Sequence, residues 1–169
     1  MNSLISSPGA GFEAPFEMLH ACHERVHQRL RTLERLAEHL PRHGADEQAR
    51  QAAADLLRYF DIAAPHHHED EERHVLPRLR ALGHAELAGR IAADHLQMGA
   101  AWATLRAQLQ ALQAGTAPDT ATWPAFVSLY RAHIELEEGQ AFPLSAAACG
   151  AADLATMGEE MAGRRRVVR

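Results

Sequence analysis

The chain contains no lysine, few aromatic residues and only two cysteines, and the shortages narrow what it can be. All 17 basic side chains are arginine, a compositional bias to which no function attaches. Cys22 and Cys149 stand far apart and form no CxxC pair. Neither a disulfide framework nor a thiol redox motif is expected, and both are read as free thiols. The net charge of -5 leaves no basic field over the molecule. With the terminal RRRVVR as its one basic cluster, the chain is not expected to bind nucleic acid. The opening MNSLISSPGAGFEAPF has neither the basic nor the apolar region of a signal peptide. No stretch approaches the roughly 18 apolar residues of a membrane span, so a cytoplasmic protein without a membrane partner is expected. Aromatics make up 5% and β-branched residues are scarce, while alanine and leucine abound. That balance predicts an all-α protein. At 169 residues the chain is about one domain long.

Apolar periodicity divides the chain into five helices. Pro15 suits a first helical turn, and the stripe Phe16, Leu19, Val26, Leu30, Leu33, Leu36, Leu40 runs on until PRHG stops it. It has one gap, at position 23. A second helix is predicted from Asp46 as N-cap to near Gly83, with Leu56 and Phe60 inward and a kink or bulge at Pro65. The third, roughly 85–113, should bury Leu87, Ile91, Met98, Trp102, Leu105, Leu109 and Leu112, with a gap at 95. A fourth starts near Thr122 and a short fifth spans about 151–163. The expected organisation is a flexible segment at 1–13, a bundle over 14–147, and a short C-terminal helix with a basic tail over 148–169.

The stretch PHHHEDEERHVLP, residues 65–77, has a partner in AHIELEEGQAFP, residues 132–143. His133, Glu137, Glu138 and Pro143 repeat His67, Glu71, Glu72 and Pro77 at a constant offset. Taken alone, HHHEDEE allows three pairs at i,i+4, but the second half carries one histidine, and it matches His67. His67 with Glu71 is therefore the inward pair, as is His133 with Glu137. The two gaps in the apolar stripes, in the first and third helices, hold His23 and His95, on the seam that faces a bundle axis. Six polar groups in one interior layer are costly, because each unsatisfied donor or acceptor loses about 1–3 kcal/mol. A metal centre removes that cost. Glu72 and Glu138 either face outward or support the ligands.

Imidazole with carboxylate suits iron, and also manganese or zinc, and six ligands suggest two ions. Two octahedral ions offer about twelve positions. Four histidines, two bridging glutamates and a bridging oxide or hydroxide leave about two of them for a small ligand.

The order H, HxxxE, H, HxxxE along four helices resembles the hemerythrin family, specifically its bacterial HHE cation-binding branch, over roughly residues 15–147. The resemblance implies an up-down four-helix bundle with two non-haem iron ions, oxo- or hydroxo-bridged. By that likeness His23, His67, Glu71, His95, His133 and Glu137 are the ligands, with the glutamates bridging. Ferritin, by contrast, uses Glu-x-x-His with the carboxylate first. Oxygen-carrying hemerythrins place a fifth histidine four residues after the third-helix ligand, where this chain has Gly99. His20, His27, His68 and His74 lie near the motifs. Of these His74 ranks first as an extra ligand or as a hydrogen-bond partner of one, because it shares the face of His67. His39, His43, His66 and His84 read as surface residues.

The implied function is binding, sensing or handling of O2, peroxide or nitric oxide. The alternatives are a di-iron enzyme acting on peroxide or nitric oxide, in which Tyr130 or Tyr59 assists, and a structural zinc or manganese bundle. No catalytic acid or base is visible in the sequence.

Overall fold

The computed structural model describes residues 11–166, so most of the expected flexible segment and the end of the basic tail fall outside it. Five helices and no strand are present among the described residues. Helix α1 is Pro15–His43; α2 covers 47–81 and α4 covers 123–147, each as consecutive helical pieces; α3 is Ala85–Gln113 and α5 is Ala151–Arg166. No described helix is long and apolar enough to cross a membrane.

The boundaries follow local chemistry. Pro15 opens α1, where a missing N–H costs nothing. Asp46 caps α2 as expected, its side chain accepting from the Ala49 amide at 2.8 Å. Gly83 and Gly115, with φ of 87° and 94°, close α2 and α3. The amides that follow them, His84 and Thr116, reach back to Leu79 and Ala111 at 2.8 and 2.9 Å.

Helices α2 and α4 are not uniformly α-helical. Wider π turns occupy Tyr59–Ala63, Glu71–Val75 and Glu137–Ala141, and each begins six residues before a proline: Pro65, Pro77 and Pro143. A proline inside an α-helix removes a donor and collides with the carbonyl four residues back. Here the residue ahead of the proline donates five residues back instead, from Ala64 to Tyr59, Leu76 to Glu71 and Phe142 to Glu137. The bulge expected at Pro65 is the first of these. The other two start at Glu71 and Glu137, the acids of the repeated motif.

Buried apolar side chains form two clusters. One gathers Val26, Leu30, Leu33, Phe60, Met98, Leu105, Trp123, Phe126 and Tyr130. The other gathers Met18, Leu19, Val75, Leu76, Leu79, Ile91, Phe142, Met157 and Met161. Along α1, α2 and α3 the histidines and glutamate of the layer fall between the two, and on α4 His133 and Glu137 flank the change from Ile134 of the first to Leu136 of the second. Leu87 and Trp102, expected in the core, are only partly buried. The Trp102 indole instead donates to Asp61 at the surface, at 3.0 Å.

Helix α5 runs three residues further than its predicted end and packs against α1 and the middle of α2. Gly158 lets it pass close to the Phe12 backbone, where any side chain would collide. Arg164 and Arg165 reach the fully buried carboxylate of Asp70 on α2, at 2.6 and 2.7 Å.

Candidate metal centre

All four bundle helices contribute to one buried layer. His23, His67, Glu71, His95, His133 and Glu137 are each at most 7% exposed, and both glutamates are wholly inside. Spacing of four residues on α2 and α4 brings each histidine against its own glutamate. His67 Nε2 lies 2.7 Å from Glu71 Oε1, and His133 Nε2 lies 3.0 Å from Glu137 Oε1.

The carboxylates divide their oxygens between the two halves of the bundle. Glu71 turns Oε1 toward His67 and His23 and Oε2 toward His95, at 3.2 Å. Glu137 turns Oε2 toward His23, at 3.1 Å, and Oε1 toward His133 and His95. Ligand atoms of His23, His67, Glu71 and Glu137 fall within 4.8 Å of one another, and so do those of His68, Glu71, His95 and His133. Glu71 belongs to both groups.

Whether a cation fits can be judged from the polar atoms left over. Eleven buried side-chain nitrogens and oxygens lack a hydrogen-bond partner among the described residues, and nine of them belong to these six residues. They include the Nε2 atoms of all four histidines and every oxygen of Glu71 and Glu137. Orphans of this kind cost about 1–3 kcal/mol each, so the layer as a whole rivals the roughly 5–15 kcal/mol that holds a domain together. Something positive must sit among them. Without ions, protons serve. Burial disfavours the imidazolium of His23, but Glu137 and Glu71 outweigh it and raise its pKa to about 9. The same balance raises His95 to about 10. Burial and the neighbouring Glu71 push Glu137 upward, yet the close imidazoles of His133, His23 and His95 hold it down at about 2.

The outer faces of three imidazoles are also fixed. His23 Nδ1–H donates to Glu138 Oε1 at 2.8 Å, His95 Nδ1–H to Glu72 Oε1 at 2.9 Å, and His133 Nδ1–H to Asp94 Oδ2 at 3.2 Å. An ionised carboxylate can only accept, so each ring carries a proton on Nδ1, which leaves Nε2 as the inward nitrogen that gives up its proton to a metal. The second acid of each HxxxEE motif thus serves a neighbouring helix, Glu72 the α3 histidine and Glu138 the α1 histidine. Asp94 was not anticipated. It precedes His95 in sequence but serves His133, and no spacing rule relates the two. His67 has no such carboxylate. Cys22 adjoins it, and although burial alone would raise the thiol pKa, the nearness of His67 lowers it overall.

The remaining histidines separate clearly. His74, ranked first as an extra ligand, sits away from the centre, with Nε2 3.0 Å from Glu160 and 3.3 Å from Arg164 on α5. It shares a helix with His67 but points to the C-terminal helix. His20 is exposed and touches Glu138 at 3.2 Å. His27 joins neither ligand group. His68 does join one. His66 is partly buried and lines a cavity of about 190 Å³ with Cys22, Arg25, Tyr59 and Arg165. His39 is tied to Asp46 at 2.9 Å, beside the exposed His43. The Tyr59 hydroxyl donates to the Cys22 carbonyl, at 3.4 Å.

A bundle with a buried layer of four histidines and two shared carboxylates is a cation-binding protein by construction. The Hemerythrin HHE cation binding domain pattern matches residues 14–145, and the chain belongs to that family. It is also similar to a Haemophilus influenzae protein described as uncharacterized, 32% identical over 162 residues that cover 94% of each chain.

Proposed function

We propose that this chain is a non-haem di-iron protein that binds or senses a small oxidant: O2, peroxide or nitric oxide. The convergence of nine orphaned nitrogen and oxygen atoms on one layer carries the reading. The donor set favours iron, since it is imidazole and carboxylate throughout and neither ligand group includes a cysteine. The division of the Glu71 and Glu137 oxygens between two histidine pairs supports a pair of ions bridged by carboxylates.

A bound iron pair supplies redox change and exchangeable coordination positions. The protein's own part is positional. Glu138, Glu72 and Asp94 hold the imidazoles in one tautomer, and the apolar clusters on either side exclude bulk water. The ligand atoms lie behind closely packed rings, His23 on Phe142 and His68 on His95. Such enclosure suits a ligand of two or three atoms.

The test is metal analysis of protein purified from iron-supplemented cells, with absorption spectra before and after peroxide. About two irons per chain and an oxo-bridge charge-transfer band are expected. A zinc-filled or metal-free protein would refute the proposal. Sustained peroxide or nitric oxide consumption that requires Glu71 would favour an enzyme instead.

A further inference from the structure

We propose that Cys22 is a peroxide-oxidisable thiol, a modification site reached through the cavity between α1, α2 and α5. The choice of oxidant rests on the reading above, but the reaction is carried by the chain's own side chains.

The cavity supplies access. Cys22 is only 6% exposed, yet it lines the space of about 190 Å³ that also meets Arg25, Tyr59, Ile62, His66 and Arg165. One water claims about 30 Å³ of liquid, so the space admits a molecule the size of hydrogen peroxide. Its α2 wall is the first π turn, Tyr59–Ala63. The other two π turns begin at Glu71 and Glu137, whereas this one contributes no residue to either ligand group of the layer.

The charge around the sulfur is the second observation. Arg25 Nη1 lies 3.8 Å from Cys22 Sγ, and Arg165 lines the same cavity. Attack of the sulfur on peroxide forms the S–O bond of a sulfenic acid and breaks the O–O bond. The sulfur gives up two electrons to the peroxide, and the thiol proton passes to the departing hydroxide, which leaves as water. Negative charge builds on the departing oxygen, and two guanidinium groups stand beside it.

The third observation is an orphaned nitrogen. Three of the four inward imidazoles have a carboxylate oxygen on Nδ1, but His67 Nδ1 has no hydrogen-bond partner among the described residues, although the residue is 4% exposed. His67 turns Nε2 to Glu71 at 2.7 Å, so Nδ1 is the nitrogen beside Cys22. A thiol sulfur is a weak acceptor. The sulfenic oxygen, brought round by rotation about Cβ–Sγ, is the strong one that is missing.

Cys149 is the internal control. It is more exposed than Cys22, and its thiol donates to the Ser145 carbonyl at 3.3 Å. Exposure alone would make it the first to oxidise.

The test treats the full chain, iron-loaded and again after chelation, with a slight excess of hydrogen peroxide. Quenching by unfolding in dimedone and a maleimide together keeps entry to the cavity from limiting the trap. Peptide mass spectrometry should find the dimedone adduct on Cys22 in both samples, with Cys149 carrying the maleimide. Arg25→Gln should slow modification of Cys22 at least about fivefold while Tm stays unchanged. Oxidation of Cys149 ahead of Cys22, or an Arg25→Gln protein that reacts at the wild-type rate, would overturn the inference. Oxidation of Cys22 only in the iron-loaded sample would overturn it too, by tracing the damage to iron chemistry. Metal content is measured on the same samples. Cys22 inert in a chain that holds an iron pair leaves the di-iron reading standing, and Cys22 oxidised in a chain that holds none keeps this inference and removes that reading.

Discussion

Glu138 Oε1 accepts a hydrogen bond from His23 Nδ1 at 2.8 Å, joining α4 to α1 behind the inward face of the ring. Glu72 does the same for His95 from α2. Partners of this type set the basicity and aim of a metal-binding imidazole. Glu138→Gln and Glu72→Gln should each weaken iron binding by about 10–100-fold without unfolding the bundle. Competition against a chelator of known affinity measures the loss, and unchanged affinity in both would show that the contacts are incidental.

Glu71 lies in both ligand groups, whereas His23 lies in one. Glu71→Gln should therefore reduce iron from about two to well under one per chain, while His23→Ala should leave about one. Metal analysis after gel filtration distinguishes the two results. Equal losses would argue against Glu71 as the shared carboxylate.

Removing the ions should create a pH dependence on the alkaline side. His23 and His95 have pKa values near 9 and 10 in the ion-free fold, against 6.5 for the free side chain. A raised folded-state pKa contributes stability in full below the unfolded value and loses it as pH climbs through the folded one. Glu137, lowered from 4.5 to about 2, contributes above 4.5 and loses its share as pH falls toward 2. The chelated protein should thus melt highest between about pH 4.5 and 6.5 and lose Tm steadily toward pH 10. With iron bound, the alkaline decline should vanish, because cations replace the protons. A chelated protein equally stable at pH 6 and 9.5 would contradict the charge assignment.

Arg164 and Arg165 neutralise Asp70, a carboxylate with no exposed surface. Breaking a buried pair by removing one partner costs about 3–5 kcal/mol, and partial exposure of both arginines lowers the expected figure to about 2. The double change of Arg164 and Arg165 to alanine should lower the urea midpoint accordingly. Adding Asp70→Asn should recover most of the loss, since the stranded charge then disappears. Failure of that rescue would mean that α5 is held by its apolar face alone, through Met157 and Met161.

Much of the architecture was legible because it rests on periodicity. The gaps at His23 and His95, filled by polar residues in otherwise apolar stripes, predicted inward imidazoles, and the doubled HxxxEE fixed His67 over its neighbours. What escaped depends on relations between helices. Asp94 supports His133 on a neighbouring helix, and Asp70 meets Arg164 and Arg165 across more than 90 residues. His74 misled because sharing a face with His67 says nothing about which helix packs there. Local wording did hold one further clue. The inward residues of α2, from Leu56 through Phe60, Ala64, His67, Glu71 and Val75 to Leu79, recur at about 3.8 residues per turn, more than the 3.6 of an α-helix. Two π turns absorb the excess.

The layer of histidines and glutamates lies between two oily compartments, one around Phe60 and Tyr130 and the other around Leu19 and Phe142. Losing the ions would therefore not slacken the molecule evenly. Each end keeps its own grip, and the waist between them becomes the first place for water to enter.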